Sequence, residues 1–117
     1  MQNIQNKAKM SKYEIVHYRE NGKDIFEQWL KSLKDKRAQS AIYSRLDRIE
    51  DGNFGEYKPC RSGVFELKID YGAGYRVYYS IVGRTVVLLL CAGDKRTQQK
   101  DIDKAVGYLE KYKETHE

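Results

Sequence analysis

Phe65-Glu66-Leu67-Lys68-Ile69, Gly74-Tyr75-Arg76-Val77-Tyr78-Tyr79 and Val86-Val87-Leu88-Leu89-Leu90 follow one another in the second half of the chain. Only the Gly72-Ala73-Gly74 and Gly83-Arg84 turns separate them. In the first stretch apolar and polar residues alternate, the mark of a strand with one face on a core. The second alternates Tyr75, Val77, Tyr79 and Ile81 with Arg76, Tyr78 and Ser80. The third is apolar throughout, as in a strand covered on both faces inside a sheet. Two tight turns joining three strands predict an antiparallel meander.

Upstream, Tyr13–Tyr18 reads as a short strand, with Tyr13, Ile15 and His17 on one face. Asn21-Gly22 ends it in a turn. Ile25, Phe26, Trp29, Leu30 and Leu33 then share a helical face, as do Ala38, Ala41, Ile42, Arg45, Leu46 and Ile49, which predicts a helical hairpin ending at Gly52-Asn53. Asn53–Gly63 reads as a polar loop around the only proline, Pro59. Downstream, Asp94–Thr97 offers caps for a helix carrying Ile102, Ala105, Val106, Leu109 and Tyr112 on one face. The expected fold is α+β in the order β-α-α-β-β-β-α. Its sheet is mostly antiparallel, with the helical hairpin on one face. The 117 residues suit one domain, with residues 1–11 as a polar arm.

The chain carries a net charge of +5, concentrated in residues 58–100, where eight basic groups stand against three acidic ones. A basic sheet region is the expected footprint for a phosphate backbone. Ten tyrosines against three phenylalanines suit half-exposed surfaces that meet a partner. Cys60 and Cys91 have no metal-ligand spacing with each other or with His17 and His116, so no metal and no cofactor is expected. The polar Met1–Lys12 segment lacks a leader's apolar core, and no run is long enough to span a membrane; the expected location is the cytoplasm.

Alternation puts Lys68, Arg76 and Tyr78 on one sheet face whether Lys68 pairs with Arg76 or with Tyr78. Lys95 and Arg96 follow the apolar strand nearby. Two adjacent cations repel unless an anion lies between them, and a phosphate would serve. The alternative is that Glu66 or Asp70 already pairs them in a surface ladder.

These strands, followed by Gly93-Asp94-Lys95, Thr97-Gln98 and Asp101-Ile102, resemble the motif string of the RelE/ParE superfamily of bacterial toxins. Within it, the string is most similar to the phage-derived, HigB-like addiction-module killer branch. The resemblance runs from about Tyr13 to Tyr112 and implies a microbial RNase-like fold. It also implies a helix-turn-helix, HigA-like antitoxin as partner, with operator DNA contacted only through that antitoxin. The implied activity is metal-independent, ribosome-dependent cleavage of mRNA. Arg76 falls on the family's phosphate-contacting arginine, Lys68 on the basic position of the preceding strand, and Lys95 on the basic group after the last strand. Tyr78 is a candidate for proton transfer. Lys58, Arg61, Arg96 and Lys100 are the expected further RNA contacts, although Arg96 replaces a small polar residue usual in this branch. Two rival functions share the fold: a ParE-like inhibitor of DNA gyrase, and a degenerate module that only binds its antitoxin.

Overall fold

The computed structural model describes residues 12–116, so the expected arm at residues 1–11 lies outside the described residues. β1 (Glu14–His17) leads into a small hairpin of β2 (Arg19–Glu20) and β3 (Lys23–Asp24). The Asn21-Gly22 turn of this hairpin has positive φ at both residues, 53° and 79°, as a two-residue hairpin of matching twist requires. Asp24 caps α1 (Ile25–Ser32) by accepting from the Glu27 amide, and Asp35 caps α2 (Lys36–Glu50) through the Arg37 and Ala38 amides. Next come β4 (Tyr57–Pro59), β5 (Phe65–Ile69), β6 (Tyr75–Val82) and β7 (Val86–Gly93). A 3-10 turn at Lys95–Thr97 opens α3 (Gln98–His116).

Five strands form one sheet in the order β1-β7-β6-β5-β4, with β1 parallel to β7 and every other pair antiparallel. The α+β class and the order of the main elements match the sequence reading, and the wholly apolar β7 is an interior strand. Two details differ. The loop expected over Asn53–Gly63 contains β4, whose Pro59 sits on the sheet's edge, where a missing amide costs no ladder bond. Arg45, expected on the face of α2, anchors that loop: its guanidinium donates to the carbonyls of Lys68, at 2.5 Å, and Phe54, at 2.9 Å.

The sheet has a core on each side. Phe26 and Leu30 of α1 and Ile42, Leu46 and Ile49 of α2 pack against Leu67, Ile69, Val77, Tyr79, Val87 and Leu89. On the other face, Ala105 and Leu109 of α3 pack against Tyr78, Leu88, Leu90 and Cys91. The strands keep both sides apolar through a bulge: Tyr78 faces Cys91, but Tyr79 faces Leu89, so Leu90 is an extra residue in β7. The face that carries Lys68, Arg76 and Tyr78 is therefore covered by α3 over β6 and β7 and open only toward β5 and β4. No helix among the described residues is long and apolar enough to cross a membrane.

Candidate active site

Where α3 stops covering the sheet, β4, β5 and β6 leave a cleft of about 150 Å³ lined by Glu56, Tyr57, Lys58, Glu66, Lys68 and Arg76. The strand register builds it. Lys68 lies opposite Arg76, Glu66 opposite Tyr78, and Lys58 opposite Glu66 on the outer side. Of the two registers compatible with the alternation, the structure adopts the one that sets the two cations side by side.

Those cations are matched by carboxylates. Glu66 is 3% exposed, and its Oε2 lies 3.5 Å from Arg76 Nε and 3.9 Å from Lys58 Nζ. Its Oε1 accepts a 2.7 Å hydrogen bond from Gln98 Nε2 at the start of α3. Lys68 Nζ lies 3.8 Å from Glu56 Oε2 in a more exposed pair. The compensation expected of a surface ladder is thus present, but around Glu66 it is buried.

Arg76 is 8% exposed, and one of its terminal nitrogens donates to the Gly74 carbonyl at 3.0 Å. Its Nε–H is buried without a hydrogen-bond partner among the described residues, since Glu66 Oε2, the carboxylate oxygen facing it, stands 3.5 Å away. Such an orphan donor is rare and costly in a folded protein.

Tyr78 does not fit the role assigned to it. Its side chain is fully buried beneath α3, and its hydroxyl has no partner among the described residues. Burial, followed by the nearby Glu66 and Asp101 carboxylates, pushes the phenol far above its ordinary value, so it cannot exchange protons with a substrate in the cleft. The error lies in treating one shared face as one shared surface.

The remaining candidates sit around the cleft. Lys58 belongs both to it and to an adjoining hollow of about 230 Å³ lined also by Pro59, Cys60, Arg61, Gln98, Gln99 and Ile102. Arg61 pairs with Asp103, and Arg96 with Asp94 at 2.9 Å. Lys95 and Lys100 are exposed near the start of α3 and line neither hollow. Sequence reasoning missed Glu66 and Gln98 as site residues. Glu66 had been placed on the right face but read as a ladder partner, and Gln98 reaches it from 32 residues away.

A larger hollow, about 620 Å³, lies elsewhere, between the β2–β3 hairpin and the end of α3. Within it His17 lies 2.8 Å from Asp24 and Lys111 pairs with Glu20 at 2.6 Å. No group of His, Cys, Asp and Glu among the described residues could hold a metal ion.

Comparison with known proteins bears on this geometry. Residues 28–109 match the family described as phage-derived protein Gp49-like (DUF891). An uncharacterised protein of Haemophilus influenzae is 50% identical over 80 residues, which is 68% of this chain and 81% of that protein. The matched span runs from within α1 to Leu109 of α3 and takes in every residue of the cleft. The chain belongs to the Gp49-like phage-derived family, within the addiction-module killer and RelE-like toxin superfamily.

Proposed function

We propose that this chain is the toxin of a toxin–antitoxin pair, of the HigB-like branch, and a metal-independent endoribonuclease that cleaves mRNA on the ribosome. The observation that carries the reading is the unpartnered Nε–H of a nine-tenths-buried arginine, Arg76, lining a cleft with Lys58 and Lys68. A phosphodiester oxygen is the acceptor that suits all three groups.

In the proposed reaction the 2′-oxygen of a ribose attacks the adjacent phosphorus. The bond to the 5′-oxygen breaks, leaving a cyclic phosphate and a free 5′-hydroxyl. Arg76 stabilises the negative charge that grows on the phosphorane-like centre, with Lys68 and Lys58 on either side. Glu66, the buried carboxylate of the same cleft, accepts the 2′-hydroxyl proton through Oε2. A lysine ammonium at the cleft mouth returns a proton to the leaving oxygen. No histidine lines the cleft, and orientation by the ribosome supplies part of the rate.

Primer extension on cellular mRNA shortly after induction tests the activity, run beside a gyrase supercoiling assay. Discrete new 5′ ends with unimpaired supercoiling are expected. Intact mRNA with blocked supercoiling would transfer the function to the gyrase-inhibitor class. Cleavage in vitro should also persist when transition metals are chelated and magnesium is held at the level ribosomes need.

The antitoxin offers a second measurement. Trp29, packed edge-on against Tyr75, and Tyr112, stacked on His116, are both half-buried and lie outside the cleft, so they can anchor a partner helix away from the RNA. Lys58→Ala combined with Lys68→Ala is therefore expected to change antitoxin affinity by less than about threefold at physiological salt, because rim charges alter affinity little. A loss of a hundredfold by calorimetry would instead put the antitoxin over the cleft.

A further inference from the structure

Gln98 is the first residue of α3, and its amide reaches across to the sheet to donate to Glu66 Oε1 at 2.7 Å. The start of that helix is itself held to the sheet. Asp101, one turn further on, is buried against Gly93, accepts from the Thr97 hydroxyl at 2.6 Å, and offers its carbonyl to the Cys91 thiol at 3.4 Å. Gln98 thus works from a fixed base. With Oε1 occupied, Glu66 turns Oε2 toward Arg76 and Lys58. The carboxylate holds the guanidinium by charge at 3.5 Å, a separation too long for a good hydrogen bond, and the Arg76 Nε–H is left unbonded.

We propose that Gln98 is a positioning residue. By fixing the rotation of the Glu66 carboxylate, it keeps the Arg76 Nε–H from being consumed by Glu66, so that an oxyanion entering the cleft meets a guanidinium not locked to that carboxylate. The catalytic consequence rests on the nuclease reading above; the geometric one does not. Freed from Gln98, the carboxylate can rotate to accept squarely from Arg76, forming a charge-assisted bond that a substrate phosphate would then have to break. A glutamine suits the task because its amide donates to one carboxylate oxygen and leaves the other facing Arg76.

The test compares Gln98→Met, which keeps length but loses the donor, with Gln98→Lys, which keeps a donor. Three quantities are measured on the full chain: thermal midpoint, the NMR signal of the Arg76 Nε–H, and single-turnover cleavage of mRNA on ribosomes. In Gln98→Met the midpoint should move by only a few degrees. The Arg76 signal should shift downfield as its bond to Glu66 forms, and kcat should fall about tenfold to a hundredfold with KM little changed. Gln98→Lys should return both the signal and the rate most of the way. If wild-type protein cleaves no RNA but the Arg76 signal moves in Gln98→Met and returns in Gln98→Lys, the nuclease reading falls and the positioning role stands. An Arg76 signal unmoved in Gln98→Met overturns the proposal, as does an undiminished kcat in that variant of a protein that does cleave.

Discussion

Replacing Gly93 by alanine is expected to cost about 2–4 kcal/mol of stability, read as the shift of a urea unfolding midpoint at constant slope. A Cβ built there would stand 1.9 Å from Asp101 Oδ2 and 2.8 Å from Thr97 Oγ1. The carboxylate cannot swing aside cheaply. Asp101 is 7% exposed, and moving it breaks the bond from Thr97 and leaves a buried charge short of a donor. The alternative is for the start of α3 to lift from the sheet, which opens the core around Ala105 and Leu109. Combining Gly93→Ala with Asp101→Ala should recover part of the loss, because the second change removes the atoms the first one strikes. Strict additivity of the two losses would show that the clash is relieved elsewhere. The glycine is required here for space and not for backbone conformation, since its φ is not among the positive values.

The second large effect is at Arg76. Arg76→Lys should lower the cleavage rate about 10²–10³-fold, the usual consequence of losing one preorganised donor to a developing oxyanion, and should relieve growth inhibition. The ammonium still balances Glu66, so the fold should persist. Arg76→Ala is a less clean probe, because it strands a carboxylate that is 3% exposed. The amide of Gln98 and the exposed Lys58 compensate in part, so the expected stability loss is roughly 2–3 kcal/mol, below that of an isolated buried pair. A folded Arg76→Lys protein with undiminished cleavage and toxicity would remove Arg76 from the proposed mechanism.

How much of this was legible beforehand differs from element to element. The alternation in β5 and β6 put Glu66, Lys68, Arg76 and Tyr78 on a common face, and the ladder agrees. The stripe on α3 was also read correctly, since Ile102, Ala105, Val106, Leu109 and Tyr112 all pack into one core. An apolar stripe says that a helix must be covered, however, not which strand covers it. Tyr78 therefore looked exposed when it is buried, and Arg76 looked like a surface residue. The bulge at Leu90 was invisible for a related reason: a run apolar at every position has no alternation against which an extra residue could register. β4 was missed because Tyr57-Lys58-Pro59 is short and carries a proline, which reads as loop until a neighbouring strand supplies the ladder. The contact of Gln98 with Glu66 spans 32 residues, which local pattern cannot signal.

The parallel pairing of β1 with β7 has a consequence for how the protein comes into being. Glu14 waits for Val86 and His17 for Leu89, so the first strand to leave the ribosome has no partner until the last strand of the sheet is synthesised. The helical hairpin can form early, but its core needs Val87 and Leu89 of that same late strand. Gln98 comes later still. Vectorial synthesis thus delays assembly of the cleft until the last strand and the start of α3 are in hand.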